Sequence, residues 1–152
     1  MSDLEKRIQE LEDIEAIKRL KSRYAMACDD MYNPDKLEKM FVEDAVWDGG
    51  LFGRYEGRQA IREFFAGVSK DLSFAVHYPI GPDISVDGNN AKAKWYLWQT
   101  ATFNKTQAFF MAAIYEDKYV KVNGEWFFKE VIANILFQTP YEKGWAKQPS
   151  MD

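Results

Sequence analysis

Histidine and cysteine are the scarcest chemically versatile residues in this 152-residue chain, which has one of each, His77 and Cys28. A single cysteine excludes an internal disulfide and any metal site made only of cysteines. A single histidine excludes the paired-histidine motifs of zinc enzymes. A metal would therefore need several carboxylates around these two residues, and the sequence predicts no bound metal.

Long apolar runs and an excess of positive charge are also missing. No run approaches the roughly 20 apolar residues of a membrane span. The N-terminus, MSDLEKRIQELEDIEAIK, is charged from the start, unlike a signal peptide. The net charge of −4 argues against a surface for nucleic acid or anionic membranes. We expect a soluble cytoplasmic protein with neither nucleic acid nor membrane as a partner.

Apolar and aromatic side chains are abundant. The hydrophobic fraction is 47%, and 11 Phe, 8 Tyr and 5 Trp make 16% of the chain aromatic. This composition is typical of a globular protein, and the length allows one core. We therefore expect a single domain over residues 1–152, with its core at about 11–137 and a loose tail over 139–152. The aromatic residues must line either that core or a pocket.

Apolar periodicity predicts three helices in the first half of the chain. Apolar residues recur every three or four positions from about residue 3 to 29, with Asp3 as the expected N-cap. Asn33 and Pro34 form a cap and first-turn pair that begins a short helix. Residues 57–70 carry a third apolar face, and a short strand is expected at 45–47.

The second half of the chain has the two-residue period of strands. Strands are predicted at 83–87, 91–102, 107–122 and 125–137, and two of the turns between them are marked by Asp87-Gly88 and Asn123-Gly124. Helices followed by antiparallel strands predict an α+β domain. A strongly curved sheet closed by the N-terminal helices would form a cone with an interior pocket.

Several residues on the predicted strands are candidates for the pocket wall, although plain core packing is the alternative for each. Gln99 is the most informative, because a glutamine on an apolar strand face should be hydrogen-bonded if it is buried. On the last strand, Glu130 and Asn134 are interior polar groups or interface residues. The candidate wall residues are Trp47, Trp95, Leu97, Gln99, Phe109, Phe110, Met111 and Tyr115.

Five stretches, in this order and spacing, resemble the SnoaL-like branch of the nuclear transport factor 2-like superfamily. They are DIEAIKRLKSRYAMACDD, LEKMFVEDAVWDG, YEGRQAIREFF, VHYPIGPDISVDGNNAKAKWYLW and YEDKYVKVNGEWFFKE. The resemblance implies a cone-shaped, cystatin-like α+β barrel with a curved antiparallel sheet and one deep, largely apolar pocket. It also implies frequent homo-oligomers and, in most members, no cofactor.

Within this family the chain is most similar to cofactor-free lyases, namely scytalone dehydratase, bile-acid 7-alpha-dehydratase and hexachlorocyclohexane dehydrochlorinase. The resemblance implies a catalytic aspartate at the end of the first helix and a partner histidine, here Asp29 and His77, with Tyr24 as a third catalytic residue. Two positions depart from the pattern. Gly49 stands where a second tyrosine is expected, and Gln99 stands where a carboxylate is expected. No second histidine is present.

An aspartate–histidine pair suits the removal of a leaving group beside an acidified C–H. Histidine has an unperturbed pKa of about 6.5, and a carboxylate beside it fixes its tautomer. We predict a cofactor-independent lyase, a dehydratase of a bulky cyclic or aromatic hydroxy-ketone, with Tyr24 polarising or protonating a substrate oxygen. Trp47, Trp95, Gln99, Phe110, Met111 and Asn134 would bind the substrate.

Two other functions stay open: a pocketed binding protein without catalysis, and an isomerase or polyketide-type cyclase with the same acid–base pair. Asp29 and His77 in contact beside a cavity would favour an enzyme. Large side chains on the outer sheet face predict a partner surface, and we expect a homodimer or homotrimer. These side chains are Tyr96, Trp98, Phe127 and Ile132.

Overall fold

The computed structural model describes residues 1–151, which form three α-helices and a six-stranded sheet. Short 3₁₀ turns lie at Glu38–Met40 and Gly50–Phe52. The main elements are α1 (Asp3–Asp29), α2 (Pro34–Leu37), β1 (Phe41–Asp48), β2 (Arg54–Glu56), α3 (Arg58–Val68), β3 (Leu72–Asp87), β4 (Asn90–Phe103), β5 (Gln107–Val122) and β6 (Glu125–Pro140).

Helix α1 begins with a capping box. The Ser2 hydroxyl accepts from the Glu5 backbone N–H, and the Glu5 carboxylate accepts from the Ser2 backbone N–H. Ser2, and not Asp3, is therefore the N-cap. The helix ends at Asp29 as predicted, because the chain beyond it turns sharply into the left-handed region. Within residues 1–151, no helix combines the length and apolar character that crossing a membrane requires.

The sheet has the order β2-β1-β6-β5-β4-β3. Strands β3 to β6 pair antiparallel throughout, as predicted. Strand β1 lies parallel to β6, so the sheet is mixed and not wholly antiparallel. The sheet is also open, with β2 and β3 as its two edges. The α+β class and the curved sheet are confirmed, whereas the expectation of a wholly antiparallel sheet is wrong.

Strand β3 is longer than predicted, beginning at Leu72 and not at residue 83. The sequence hides this extension because the pairing with β4 shifts between Ile80 and Asp83. Gly81 lies in that irregular stretch with φ of +60°, a conformation that glycine adopts without steric cost. The extension carries His77.

The core lies between the helices and one face of the sheet. Helix α1 packs against β3 and β6, and α3 packs against β1 and β2. Strand β4 alternates as predicted, with one face buried and the other carrying exposed Tyr96. The buried face of β4 consists of Ala91, Ala93, Trp95, Leu97, Gln99 and Ala101.

The C-terminal segment is more ordered at its start than predicted. Strand β6 continues through Thr139, whose side chain is fully buried. The Gln138 backbone N–H donates to the Pro149 carbonyl at 3.1 Å, and the Trp145 ring stacks on Phe137 with centroids 5.3 Å apart. Strand β6 therefore extends past its predicted end at residue 137, and Trp145 contacts the sheet through Phe137.

Candidate active site

The site centres on a contact between Asp29, the last residue of α1, and His77 on β3. One carboxylate oxygen of Asp29, Oδ1, lies 2.7 Å from His77 Nδ1 and accepts from the His77 backbone N–H at 2.9 Å. A carboxylate only accepts, so Nδ1 carries the hydrogen. In the neutral ring Nε2 then carries the lone pair and can accept a hydrogen bond or a proton. The arrangement leaves a potential base at Nε2.

Tyr32 lies on the other side of the His77 ring. Its hydroxyl oxygen is 3.5 Å from His77 Nε2, and its ring meets the imidazole edge to face at 5.7 Å. Met31 and Tyr32 have φ of 53° and 52°, which reverse the chain after α1. The backbone N–H of Tyr32 donates to the Cys28 carbonyl at 2.9 Å and stabilises this reversal. The reversal returns the Tyr32 ring to the helix end, beside His77.

Tyr32 is not among the site residues predicted from the sequence. The sequence feature that could have indicated Tyr32 is its position in the short link between Asp29 and the Asn33 cap of α2. A link this short keeps a large ring close to the end of α1. Stacking of Tyr32 on Phe65 of α3, with centroids 6.0 Å apart, holds the ring in this position. Only the tertiary structure supplies that contact.

Gln99 faces His77 directly across the β3–β4 pairing. Its side chain is buried, and its Nε2 donates to the Tyr32 hydroxyl oxygen at 3.5 Å. Its other amide atom, Oε1, is buried without a hydrogen-bond partner. Buried amide oxygens are normally satisfied, so this atom is an unused acceptor at the site.

Tyr24 contributes a second hydroxyl. Its oxygen accepts from Trp47 Nε1 at 2.8 Å, and the hydroxyl also hydrogen-bonds to the side chains of Tyr115 and Cys28. Five residues along a helix turn by about 140°, so Tyr24 and Asp29 lie on different faces of α1. Tyr24 lines the cavity, whereas Asp29 contacts His77 from behind. The two residues therefore act on one site without sharing a helix face.

These groups surround a narrow cavity of about 40 Å³ beneath the helices. This is room for a few water molecules, and a ring-sized ligand requires the aromatic walls to move apart. The lining is mostly apolar and consists of Tyr24, Tyr32, Trp47, Gly49, Phe52, Phe64, Val68, Leu72, His77, Leu97, Gln99, Met111, Tyr115, Ala133 and Ile135.

Three predicted substrate-binding residues, Trp47, Gln99 and Met111, line this cavity. Three others, Trp95, Phe110 and Asn134, do not. Trp95 is buried deeper and donates to Tyr119, at 3.2 Å. Phe110 lies on the opposite face of β5 from Met111 and stacks on Trp98 outside the cavity. Asn134 is exposed beside Glu116, because neighbouring side chains on a strand point to opposite faces.

Gly49 lines the cavity where the family resemblance implied a second tyrosine. A Cβ atom at this position would collide with the six-membered ring of Trp47. The backbone of Gly49 has an ordinary negative φ of −100°, so space and not conformation excludes a side chain. Trp47 therefore occupies the room that a side chain at position 49 would need.

A buried ion pair lies below the cavity floor. Lys21 Nζ is 2.8 Å from Asp117 Oδ2, with both side chains fully buried, and the Tyr119 hydroxyl donates to the same oxygen at 2.7 Å. The ammonium lies 3.4 Å from the centre of the Tyr115 ring. Burial lowers the pKa of Lys21 and raises the pKa of Asp117. Lys21 is thus buried on a helix whose other lysines and arginines are exposed.

Burial also controls the protonation of the cavity hydroxyls. It raises the pKa of Tyr24, Tyr32 and Tyr115 above the ordinary value for tyrosine, so all three are neutral hydrogen-bond donors at working pH. Burial likewise raises the pKa of the Cys28 thiol. The thiol is therefore kept protonated, and Cys28 serves as a small apolar residue.

The fold and the sequence both match known proteins. A hexachlorocyclohexane dehydrochlorinase (LinA) of type 2 superimposes with a TM-score of 0.81 at 21% identity, covering 91% of this chain and 93% of that chain. A scytalone dehydratase candidate from Novosphingobium aromaticivorans gives 0.79 at 25% identity, with 86% and 89% covered. An NTF2-like protein with a cystatin-like fold from the same organism gives 0.75 at 22% identity, with 88% of each chain covered.

The likeness to the dehydrochlorinase and to the NTF2-like protein concerns the fold. The sequence match is to the SnoaL-like domain family and extends over residues 9–132, which is most of the chain. It agrees with the resemblance found in the five sequence stretches. This chain belongs to the SnoaL-like domain family.

Proposed function

We propose that this protein is a cofactor-independent lyase that eliminates water, or another leaving group, from a small cyclic substrate. The observation that carries the proposal is the Asp29–His77 contact beside a mostly apolar cavity. The carboxylate fixes the tautomer that leaves Nε2 able to accept a proton, and it stabilises the imidazolium that forms.

The proposed reaction needs only proton transfers. His77 Nε2 takes a proton from the carbon beside an activating carbonyl, and the C–H electron pair becomes the new C=C bond. The C–O bond to the leaving hydroxyl breaks with its electron pair on oxygen. The proton held by His77 passes to that oxygen and completes a water molecule. Tyr24 donates its O–H to the substrate carbonyl and stabilises the negative charge that develops there.

A substrate screen with matched variants tests this proposal. Cyclic hydroxy-ketones and halides are incubated with the wild-type chain and with Asp29→Asn, while Asp30→Asn serves as the neighbouring control. Asp30 is exposed and pairs with Lys36 at 3.0 Å, away from the cavity. Loss of product formation in Asp29→Asn alone supports the lyase, and equal turnover by all three proteins rejects it.

A non-catalytic binding protein is the second candidate, because Gly49 and Gln99 stand where the family resemblance implies two further polar catalytic groups. A volume of about 40 Å³ does not admit a bulky ring unless the aromatic walls, including Phe52 and Phe64, move. A ligand that binds tightly and is recovered unchanged from every variant supports this reading. An isomerase or cyclase would use the same base, and it is distinguished by a product that has the same mass as the substrate.

We also propose that the chain forms a homodimer or homotrimer through the outer sheet face. Tyr96 is 60% exposed and its cross-strand neighbour Ile80 is 52% exposed, and both lie on that face. Exposed apolar surface of this kind is typical of a partner surface. Light scattering at micromolar concentration should give two or three times the 17.7 kDa chain mass. A monomer mass contradicts the proposal.

A further inference from the structure

We propose that Gln99 makes the cavity selective for ligands that carry a hydrogen-bond donor, above all a hydroxyl group. The reason is that Gln99 Oε1 is an acceptor without a partner at the end of a chain of hydrogen bonds whose donors and acceptors are fixed. The inference deepens the proposed function by naming the substrate class, and it rests on that function only for the claim that the ligand is a substrate. The hydrogen-bond chain runs through four residues, Asp29, His77, Tyr32 and Gln99.

Asp29 fixes which atoms donate and which accept along the hydrogen-bond chain. Its Oδ1 faces both the backbone N–H and the Nδ1 of His77, and a carboxylate has only acceptor capacity to offer. The imidazole therefore carries its hydrogen on Nδ1. In the neutral ring, Nε2 can then only accept.

The next two links follow from the first. Tyr32 has one hydroxyl hydrogen, and Nε2 of His77 at 3.5 Å is the acceptor that this hydrogen meets. The Tyr32 oxygen is then left as an acceptor toward Gln99, whose Nε2 lies 3.5 Å away. The reverse orientation of the amide would set two oxygens against each other with no hydrogen between them. The amide of Gln99 therefore presents its NH₂ to Tyr32.

The last atom of the chain is Gln99 Oε1. The residue is 2% exposed, and Oε1 has no hydrogen-bond partner among residues 1–151. A buried carbonyl oxygen in this state gains most from a ligand O–H or N–H and gains nothing from a halide or a second carbonyl. The cavity therefore favours a hydroxyl-bearing ring, and this substrate class points to dehydration in preference to dehydrohalogenation.

Small aromatic probes test the selectivity without any turnover. Phenol offers a donor, fluorobenzene has a similar size without one, and benzaldehyde offers only an acceptor. Calorimetry compares their binding to the wild-type protein, to Gln99→Leu and to Gln107→Leu, which makes the same change at an exposed glutamine outside the cavity. We expect phenol to bind about tenfold more tightly than either other probe in the wild type and the control, and this preference to vanish in Gln99→Leu.

Several results would overturn the proposal. An unchanged phenol preference in Gln99→Leu would assign the selectivity to another group. A preference for benzaldehyde in the wild type would mean that the amide presents its NH₂ to the ligand. Absence of phenol binding at millimolar concentration would mean that the acceptor attracts no donor.

Nitrogen NMR of His77 is a second test that needs no ligand. The proposal requires the hydrogen on Nδ1 in the neutral ring, and a spectrum with the hydrogen on Nε2 overturns it. These readouts are independent of catalysis. If the phenol preference is observed while His77→Ala retains full turnover, the proposed lyase function is wrong and the role of Gln99 stands. If His77→Ala is inactive and the phenol preference is absent, the role of Gln99 is wrong and the proposed lyase function stands.

Discussion

Asp29 holds His77 by two hydrogen bonds to one oxygen, from the ring Nδ1 at 2.7 Å and from the backbone N–H at 2.9 Å. The second bond ties the carboxylate to the β3 backbone as well as to the imidazole. The end of α1 and the middle of β3 are therefore joined at one point. Because Asp29 lies behind His77 and not in the cavity wall, it can orient the base while leaving the cavity to a ligand.

Loss of either member of this pair should reduce turnover. General acid–base catalysis contributes about 10²–10⁴-fold, so His77→Ala and Asp29→Asn should each lose at least about 100-fold in rate. Neither substitution removes a large apolar group, and circular dichroism should show both variants folded. The measurement is the steady-state rate on any substrate found in the screen. A wild-type rate in His77→Ala would contradict the mechanism.

Tyr24→Phe should have a smaller effect on rate and a distinct effect on stability. The change keeps the ring and removes the oxygen that accepts from Trp47 Nε1 at 2.8 Å. The buried indole N–H then lacks its partner, which costs about 1–3 kcal/mol of unfolding free energy. Urea unfolding measures this loss. Tyr96→Phe, on the exposed outer face, is the control and should change stability by less than about 0.5 kcal/mol.

Removing one or the other member of the buried Lys21–Asp117 ion pair should make the free energy of unfolding depend on pH in opposite directions. Asp117→Asn leaves the Lys21 ammonium buried without its carboxylate, and burial already lowers the pKa of Lys21. Between the folded and unfolded pKa values, the unfolded chain holds a proton that the folded chain has released. The free energy of unfolding should therefore rise with pH over that window, by at most about 1.4 kcal/mol per pH unit.

Lys21→Met leaves the Asp117 carboxylate unpaired, and burial raises the pKa of that group above 3.8. Between 3.8 and the folded pKa, the folded chain holds the extra proton, so the free energy of unfolding should fall as pH rises over this window. Urea unfolding from about pH 5 to pH 9 measures both slopes. The double variant Lys21→Met/Asp117→Leu should be more stable than either single variant. If the free energy of unfolding changed with pH in the same direction in both single variants, the opposite pKa shifts of Lys21 and Asp117 would be refuted.

Cys28 should be chemically silent in the folded protein. Its side chain is 1% exposed, and burial raises the pKa of the thiol, so little thiolate is present to react. A thiol reagent such as dithiobis-nitrobenzoate should label about one thiol per chain in denaturant and almost none before unfolding. Rapid labelling of the native protein would show that the site opens far more readily than its packing indicates.

Local patterns in the sequence were sufficient for most of the secondary structure. The apolar period locates α1 and α3, the Asn33-Pro34 pair locates α2, and Asn123-Gly124 locates the β5–β6 turn. Alternation also identifies the buried face of β4, including Gln99. Each of these signals acts between residues close in the chain, so it can be read without knowledge of the fold. The pairing of Asp29 with His77 was expected only from the family resemblance.

The remaining features depend on contacts between residues distant in sequence, and only the tertiary structure decides them. Tyr32 reaches His77 across 45 positions because two left-handed residues reverse the chain after α1. Lys21 is buried because Asp117 meets it from β5, although the other lysines and arginines of its helix are exposed. Strand β1 pairs parallel with β6, which no local period encodes. Periodicity determines which face of an element is buried, whereas the packing of distant elements determines what that face contacts and hence where the cavity lies.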